Sequence, residues 1–86
     1  MTNIEELITK YIRGAEGVLK EIGEIPDTIN LNEEEVKTVF DWAKRYLEDA
    51  KYYQEKGKLE TSLTSVVYCE GLLDALRLLG AVEFSW

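Results

Sequence analysis

Apolar residues recur every three or four positions along three stretches of the chain, which is the spacing of amphipathic helices. The first predicted helix covers about residues 3–22, and Thr2 or Asn3 caps it because each precedes a glutamate by three positions. Gly23 ends this helix. Its apolar positions share one face: Ile4, Leu7, Ile8, Tyr11, Ile12, Ala15, Val18, Leu19 and Ile22. A helix with such a face is expected to pack against a neighbour.

The second predicted helix covers about residues 33–56 and starts with several agreeing signals. Asn32 is a capping residue, Glu35 completes a capping box, and the acidic residues 33–35 complement the positive end of the helix dipole. Its predicted core face consists of Val36, Val39, Phe40, Ala43, Tyr46, Leu47 and Ala50. Three aromatic residues, Trp42, Tyr46 and Tyr53, flank one edge of this face. For these residues we favour burial between helices over contact with a ligand.

The third predicted helix covers about residues 58–79 and follows a turn of one or two residues at Gly57. So short a turn makes helices 2 and 3 antiparallel neighbours. One apolar stripe is expected to face helix 2: Leu59, Val66, Cys69, Leu73 and Leu76. A second stripe contains Tyr68, Leu72, Ala75 and Leu79.

These elements predict an all-α fold, a three-helix up-and-down bundle with a tight antiparallel hairpin of helices 2 and 3. We expect helix 1 to pack into the groove of that hairpin after a loop that contains Pro26. Gly14 and Gly17 each cost helix 1 about 1 kcal/mol relative to alanine. We favour the interpretation that helix 1 is the least stable of the three, and the alternative is that a neighbour approaches it closely at these glycines. Residues 1–86 are expected to form a single domain with a short tail at 81–86.

Composition narrows the classes of function. The 86 residues are 45% hydrophobic and 31% charged, as in globular proteins, and the net charge of −7 disfavours binding to nucleic acid or to anionic membranes. Basic residues exceed acidic ones only in segment 44–58, through Lys44, Arg45, Lys51, Lys56 and Lys58. A solvated face of alternating charge is the favoured interpretation of this segment. The alternative is a basic spot of an accessory subunit in an RNA or translation assembly.

The chain contains no histidine and one cysteine, Cys69. The lack of histidine excludes Ser-His and Cys-His nucleophile pairs and the usual zinc sites, and we predict neither a cofactor nor a metal. We interpret Cys69 as a small core residue. The acidic N-terminus and the short apolar runs predict neither a secretory signal nor a membrane span, so we expect a cytoplasmic protein.

Glu70, Asp74 and Arg77 are the only charged residues of helix 3 after Glu60, and they fall within an arc of about 60°. The favoured interpretation is a solvent face with an Asp74–Arg77 ion pair. In the second interpretation Glu70 is partly buried and needs a partner. A small-ligand or metal-dependent activity at Glu70 and Asp74, assisted by Arg77 and Tyr53, is the alternative to a non-enzymatic role.

The tail ends in two large aromatic residues, Phe84 and Trp86. Left free, they form an apolar patch of the kind that marks contact sites, and folded back they cover the bundle instead. Both arrangements remain open from sequence. The leading hypothesis is a non-enzymatic protein–protein interaction module that self-associates through helix 3 and the tail.

Residues 68–80 read Tyr-Cys-Glu-Gly-Leu-Leu-Asp-Ala-Leu-Arg-Leu-Leu-Gly, and this run resembles the signature of the short archaeal family called domain of unknown function 357. The preceding hairpin, with Ala43, Ala50, Tyr53 and Gly57, is also similar to that family. The resemblance covers nearly the whole chain. It implies a three-helix up-and-down bundle in a cytosolic archaeal protein, and it brings no activity with it.

Overall fold

The computed structural model describes residues 3–86, and three α-helices contain most of them. Helix α1 spans Ile4–Ile22, α2 spans Glu33–Glu55 and α3 spans Leu59–Leu78. The all-α class is confirmed, and each predicted helix boundary is within one residue of the observed one. None of the described helices combines the length and apolar composition that crossing a bilayer requires.

Asparagine side chains cap the first two helices. Asn3 Oδ1 accepts a hydrogen bond from the backbone N–H of Glu6 at 2.8 Å, and Asn32 Oδ1 accepts one from Glu35 at 2.7 Å. Each bond satisfies a donor that has no partner within the helix. Of the two predicted caps of α1, Asn3 is therefore the one observed, and Thr2 lies outside the described residues.

The turn between α2 and α3 is built on Gly57, whose φ of +74° lies in the left-handed region that favours glycine. Gly57 N–H donates to Gln54 C=O at 3.1 Å, and Lys58 N–H donates to Tyr53 C=O at 2.9 Å. These two bonds form a Schellman motif and reverse the chain within three residues. The predicted antiparallel hairpin of α2 and α3 is confirmed.

The hairpin packs through small side chains. Its four buried residues are Ala43 and Ala50 of α2 with Cys69 and Leu76 of α3. Ser62 Oγ donates a hydrogen bond to the Ala50 carbonyl at 2.7 Å, which joins the two helices near the turn. Small residues at the contact allow the helix axes to approach closely, so larger side chains are displaced to the edges.

The predicted up-and-down arrangement of three helices is present, but α1 does not pack into the groove of the hairpin, and that placement was wrong. No Cα atom of α1 lies within 8 Å of a Cα atom of α2 or α3, and no residue of α1 is buried. The hairpin's own aromatic residues occupy the space at one edge: the ring of Tyr46 lies 4.4 Å from that of Tyr68, and Trp42 lies next to Tyr46 at 6.3 Å.

The missing third layer also explains several exposed residues. Leu59, which was predicted to face α2, is exposed, as are Phe40 and Leu47 at the edge of the α2 face. Val36, Val39, Val66 and Leu73 are only half-buried. In a pair of helices each helix buries only the side that faces its partner. In a three-helix bundle the third helix also covers the edges of each apolar face.

Candidate functional site

The N-terminal half of α1 and one face of α3 together line an open groove with a volume of about 530 Å³. From α1 the groove receives Ile4, Leu7, Ile8, Tyr11 and Ile12. From α3 it receives Leu63, Thr64, Val67 and Tyr68. We call this feature the shared groove. Its walls contain no charged residue, so a ligand would find apolar surface and a few hydroxyl groups.

The α3 side of the shared groove is the face directed away from α2. At 100° per residue, Val67 is about 160° around the helix from the buried Cys69. Helix α1 therefore lies alongside the back of α3 and not between α2 and α3. Tyr68 links the two regions, because it lines the shared groove and stacks on Tyr46 of α2.

The apolar stripe of α1 continues past the shared groove into its C-terminal half. This part, which we call the open stripe, consists of Ala15, Val18, Leu19 and Ile22. Leu19 is 68% exposed, and Val18 and Ile22 are also more than half exposed. A helical face this wide and this apolar is typical of a helix covered by a neighbour.

Asp74 is the centre of a polar cluster near the C-terminal end of α3. Its Oδ1 accepts hydrogen bonds from Arg77 Nη2 at 2.7 Å, from Arg77 Nε at 3.2 Å and from Trp86 Nε1 at 3.3 Å. The guanidinium of Arg77, and then the indole of Trp86, hold the pKa of the Asp74 carboxyl below its usual range. The ion pair predicted between Asp74 and Arg77 is thus present.

The same cluster fixes the C-terminal tail on its own α3. The Arg77 guanidinium lies 5.6 Å from the ring centre of Phe84, and the rings of Phe84 and Trp86 meet edge to face at 5.0 Å. Of the two arrangements left open by the sequence, the structure has the folded-back one. Phe84 is half-buried, whereas the Trp86 side chain keeps 69% of its surface exposed.

The structure does not bring the remaining candidate residues together. Glu70 is exposed, which favours the solvent-face interpretation of this residue. Tyr53 lies beside the Gly57 turn, where its carbonyl accepts from Lys58, and Asp74 lies towards the other end of α3. Among residues 3–86 no three Cys, Asp or Glu side chains are grouped as ligands for one metal ion. The Asp74 oxygen is instead shared by an arginine and a tryptophan.

Two lysines of the basic segment are paired within their own helix. Lys44 lies 3.3 Å from Asp41, and Lys51 lies 3.3 Å from Glu48. These exposed pairs alternate in sign along α2, which agrees with a solvated helix face.

Cys69 is a buried free thiol in the contact between α2 and α3, where the sequence placed it. Burial raises the pKa of the Cys69 thiol, and the negative charge of Glu70 raises it further. A thiol with a raised pKa is a poor nucleophile, so the residue serves packing.

The back of α3, which lines the shared groove, was not predicted from the sequence. A signal was present, because residues 61–69 contain no charged side chain although the chain is 31% charged. Nine uncharged helical residues cover every direction around the axis, the back included. The 3–4 spacing of apolar residues in helix 3 predicted the face that contacts α2, and it did not predict the back of the helix.

The fold and the site together define a small all-α protein with a tight helical hairpin and an uncovered apolar surface on a third helix. The family model described as "Protein of unknown function (DUF357)" matches residues 10–82, and the chain belongs to this family. The resemblance found in the sequence is therefore confirmed. Neither the curated proteins nor the solved structures gave a significant match.

Proposed function

We propose that this chain is a non-enzymatic protein–protein interaction module of an archaeal cytoplasm, and that it binds a protein through the shared groove and the open stripe. The observation that carries the proposal is the exposed apolar face of α1, which runs the length of the helix while no residue of α1 is buried. Exposed apolar surface on this scale is typical of interaction sites.

The shared groove and the open stripe are better suited to binding a protein than a small molecule. The shared groove is open along its length, and the open stripe adds a convex apolar strip to it. Small-molecule sites are concave and contain a few polar groups that orient the ligand, whereas the centres of protein interfaces are apolar and depleted of charge.

The hypothesis from sequence placed the interaction surface on helix 3 and the tail. The proposed surface still includes helix 3, but α1 takes the place of the tail. Phe84 and Trp86 already have partners in Asp74 and Arg77 of their own chain. Cytoplasmic location is proposed because Cys69 is a free thiol, as is usual in a reducing compartment.

Site-specific crosslinking in the native host tests the proposal. A photo-crosslinking amino acid replaces Leu19 in the open stripe, and the matched control replaces Gly17, about 160° around the same helix. We expect protein adducts from position 19 and few or none from position 17. Equal labelling at both positions, or no adduct at either, would contradict an interaction surface on this face of α1.

A further inference from the structure

We infer that the protein covering the shared groove and the open stripe is a second copy of this chain, in a two-fold symmetric dimer that buries α1 of both copies. The inference rests on the proposed function, because it names the partner of the same surface. Its support comes from the area of surface left exposed, from the size of the core and from the distribution of charge.

The chain exposes far more surface than a monomer of its size. Its accessible area is 7640 Å², whereas a folded monomer of 9.9 kDa exposes about 5,200 Å². Its radius of gyration is 15.4 Å, compared with about 12 Å for a compact chain of this length. About 2,400 Å² is therefore in excess of what a compact monomer exposes.

The excess area corresponds to the interface of an obligate homodimer. Such interfaces bury about 2,000–5,000 Å² in total, which is about 1,000–2,500 Å² from each copy, and they are apolar like a divided domain core. A transient partner of standard size covers about 800 Å² per side and would leave most of the excess exposed.

The core of the single chain favours a partner that is always present. Its four buried residues include three small ones, and no large side chain among the described residues is fully buried. A chain whose own core is this small is stabilised by a partner that is always present, and a second copy is always made in equal amount.

The charges of the chain are compatible with this pairing. Helix α1 has four acidic and three basic residues, a net charge of −1, whereas the whole chain carries −7. The other wall of the shared groove comes from four residues of the uncharged segment 61–69: Leu63, Thr64, Val67 and Tyr68. Most of the negative charge thus lies away from the paired surfaces, so two acidic chains approach each other through their least charged side.

An antiparallel arrangement of the two α1 helices adds complementarity. In a two-fold pair of antiparallel helices the helix dipoles oppose, so the positive N-terminal end of each α1 lies beside the negative C-terminal end of the other.

Sedimentation equilibrium of the full purified chain tests the inference, from about 1 μM to about 500 μM, a range that brackets micromolar dissociation constants. We expect twice the 9.9 kDa chain mass over most of this range. Leu19→Glu is expected to weaken the dimer by about 100-fold or more, because each dimer contains the buried charge twice. Gly17→Glu adds the same charge on the opposite face and should change the dissociation constant by less than about 3-fold.

The result for the unmodified chain decides the matter even if Leu19→Glu fails to fold. A monomer at every concentration contradicts the second copy, and so does equal weakening by Leu19→Glu and Gly17→Glu. If the chain is monomeric while position 19 still crosslinks in cells, the partner is a different protein and the interaction module stands. If it is monomeric and position 19 gives no adduct, both proposals fail.

Discussion

At the scale of single residues, Asp74 connects the tail to the helices. One carboxylate oxygen accepts from both Arg77 and Trp86, and the arginine in turn contacts the ring of Phe84. Two aromatic residues that would otherwise extend the exposed apolar surface are held on their own α3. Asp74, one of the two carboxylates considered as a catalytic pair, thus acts with Arg77 as an attachment point for the tail, and Glu70 takes no part in it.

The pH dependence of the tail contact follows from the lowered pKa of Asp74. An unfolded aspartate has a pKa of about 3.9. Above that pH the contact contributes its full free energy to holding the tail on α3, and this contribution is lost as the pH falls through the lower folded-state pKa. In a Trp42→Phe background, acrylamide quenching of Trp86 should stay constant from neutral pH to about pH 4 and then increase.

Asp74→Asn is the variant that checks this assignment, because its side chain cannot ionise. Quenching of Trp86 should already be high at neutral pH and should show no acid transition. Glu70→Gln removes an exposed carboxylate four residues away and should behave like the parent protein. Identical titrations of Asp74→Asn and the parent would show that Asp74 does not hold the tail.

At the scale of elements, the glycines divide into two kinds. Gly57 and Gly80 have positive φ and end α2 and α3. Gly14 and Gly17 have helical backbones, and a Cβ atom added at either would meet nothing within 4 Å. The first pair is required by the backbone, whereas the second only weakens α1.

Gly14→Ala and Gly17→Ala should each raise the free energy of unfolding by about 1 kcal/mol, because alanine has the higher helix propensity and finds free space. Gly57→Ala should lower it by about 1–2 kcal/mol, because a side chain at that φ is strained. Urea unfolding followed by circular dichroism measures all three. A loss of stability at Gly14 or Gly17 would mean that a neighbour approaches α1 closely there.

Local structure was predictable from sequence, and the position of α1 was not. Asparagine caps, the Gly57 turn and the 3–4 spacing are set by neighbours a few residues away, so the helix boundaries and the hairpin followed from them. Which face of α3 meets α1 depends on how Trp42, Tyr46 and Tyr68 fill the edge of the hairpin. That outcome is decided by packing between distant residues.

The candidate site was predictable only in part, for the same reason. The Asp74–Arg77 pair lies within one helical turn, and its spacing predicted it. The indole of Trp86 reaches Asp74 from twelve residues away, and the shared groove joins residues about sixty positions apart. Spacing along one helix contains no information on such contacts.

At the scale of the whole molecule, the chain consists of a hairpin with a small core and a third helix whose apolar face is uncovered. A dimer in which each copy covers the apolar α1 face of the other explains both the small core and the uncovered helix. The second copy then supplies the third layer that the hairpin lacks, and most of the charge of −7 per chain stays on the outside of the dimer.

Hydrogen exchange of the α1 amides at several protein concentrations tests this account most directly. An uncovered helix of 19 residues with two internal glycines is marginal in water and exchanges fast, whereas a helix buried in a dimer is protected. We predict strong protection of α1 at high concentration that falls on dilution, while the amides of α2 and α3 around Ala43 and Cys69 stay slower throughout. Unprotected exchange of α1 at every concentration would contradict the account.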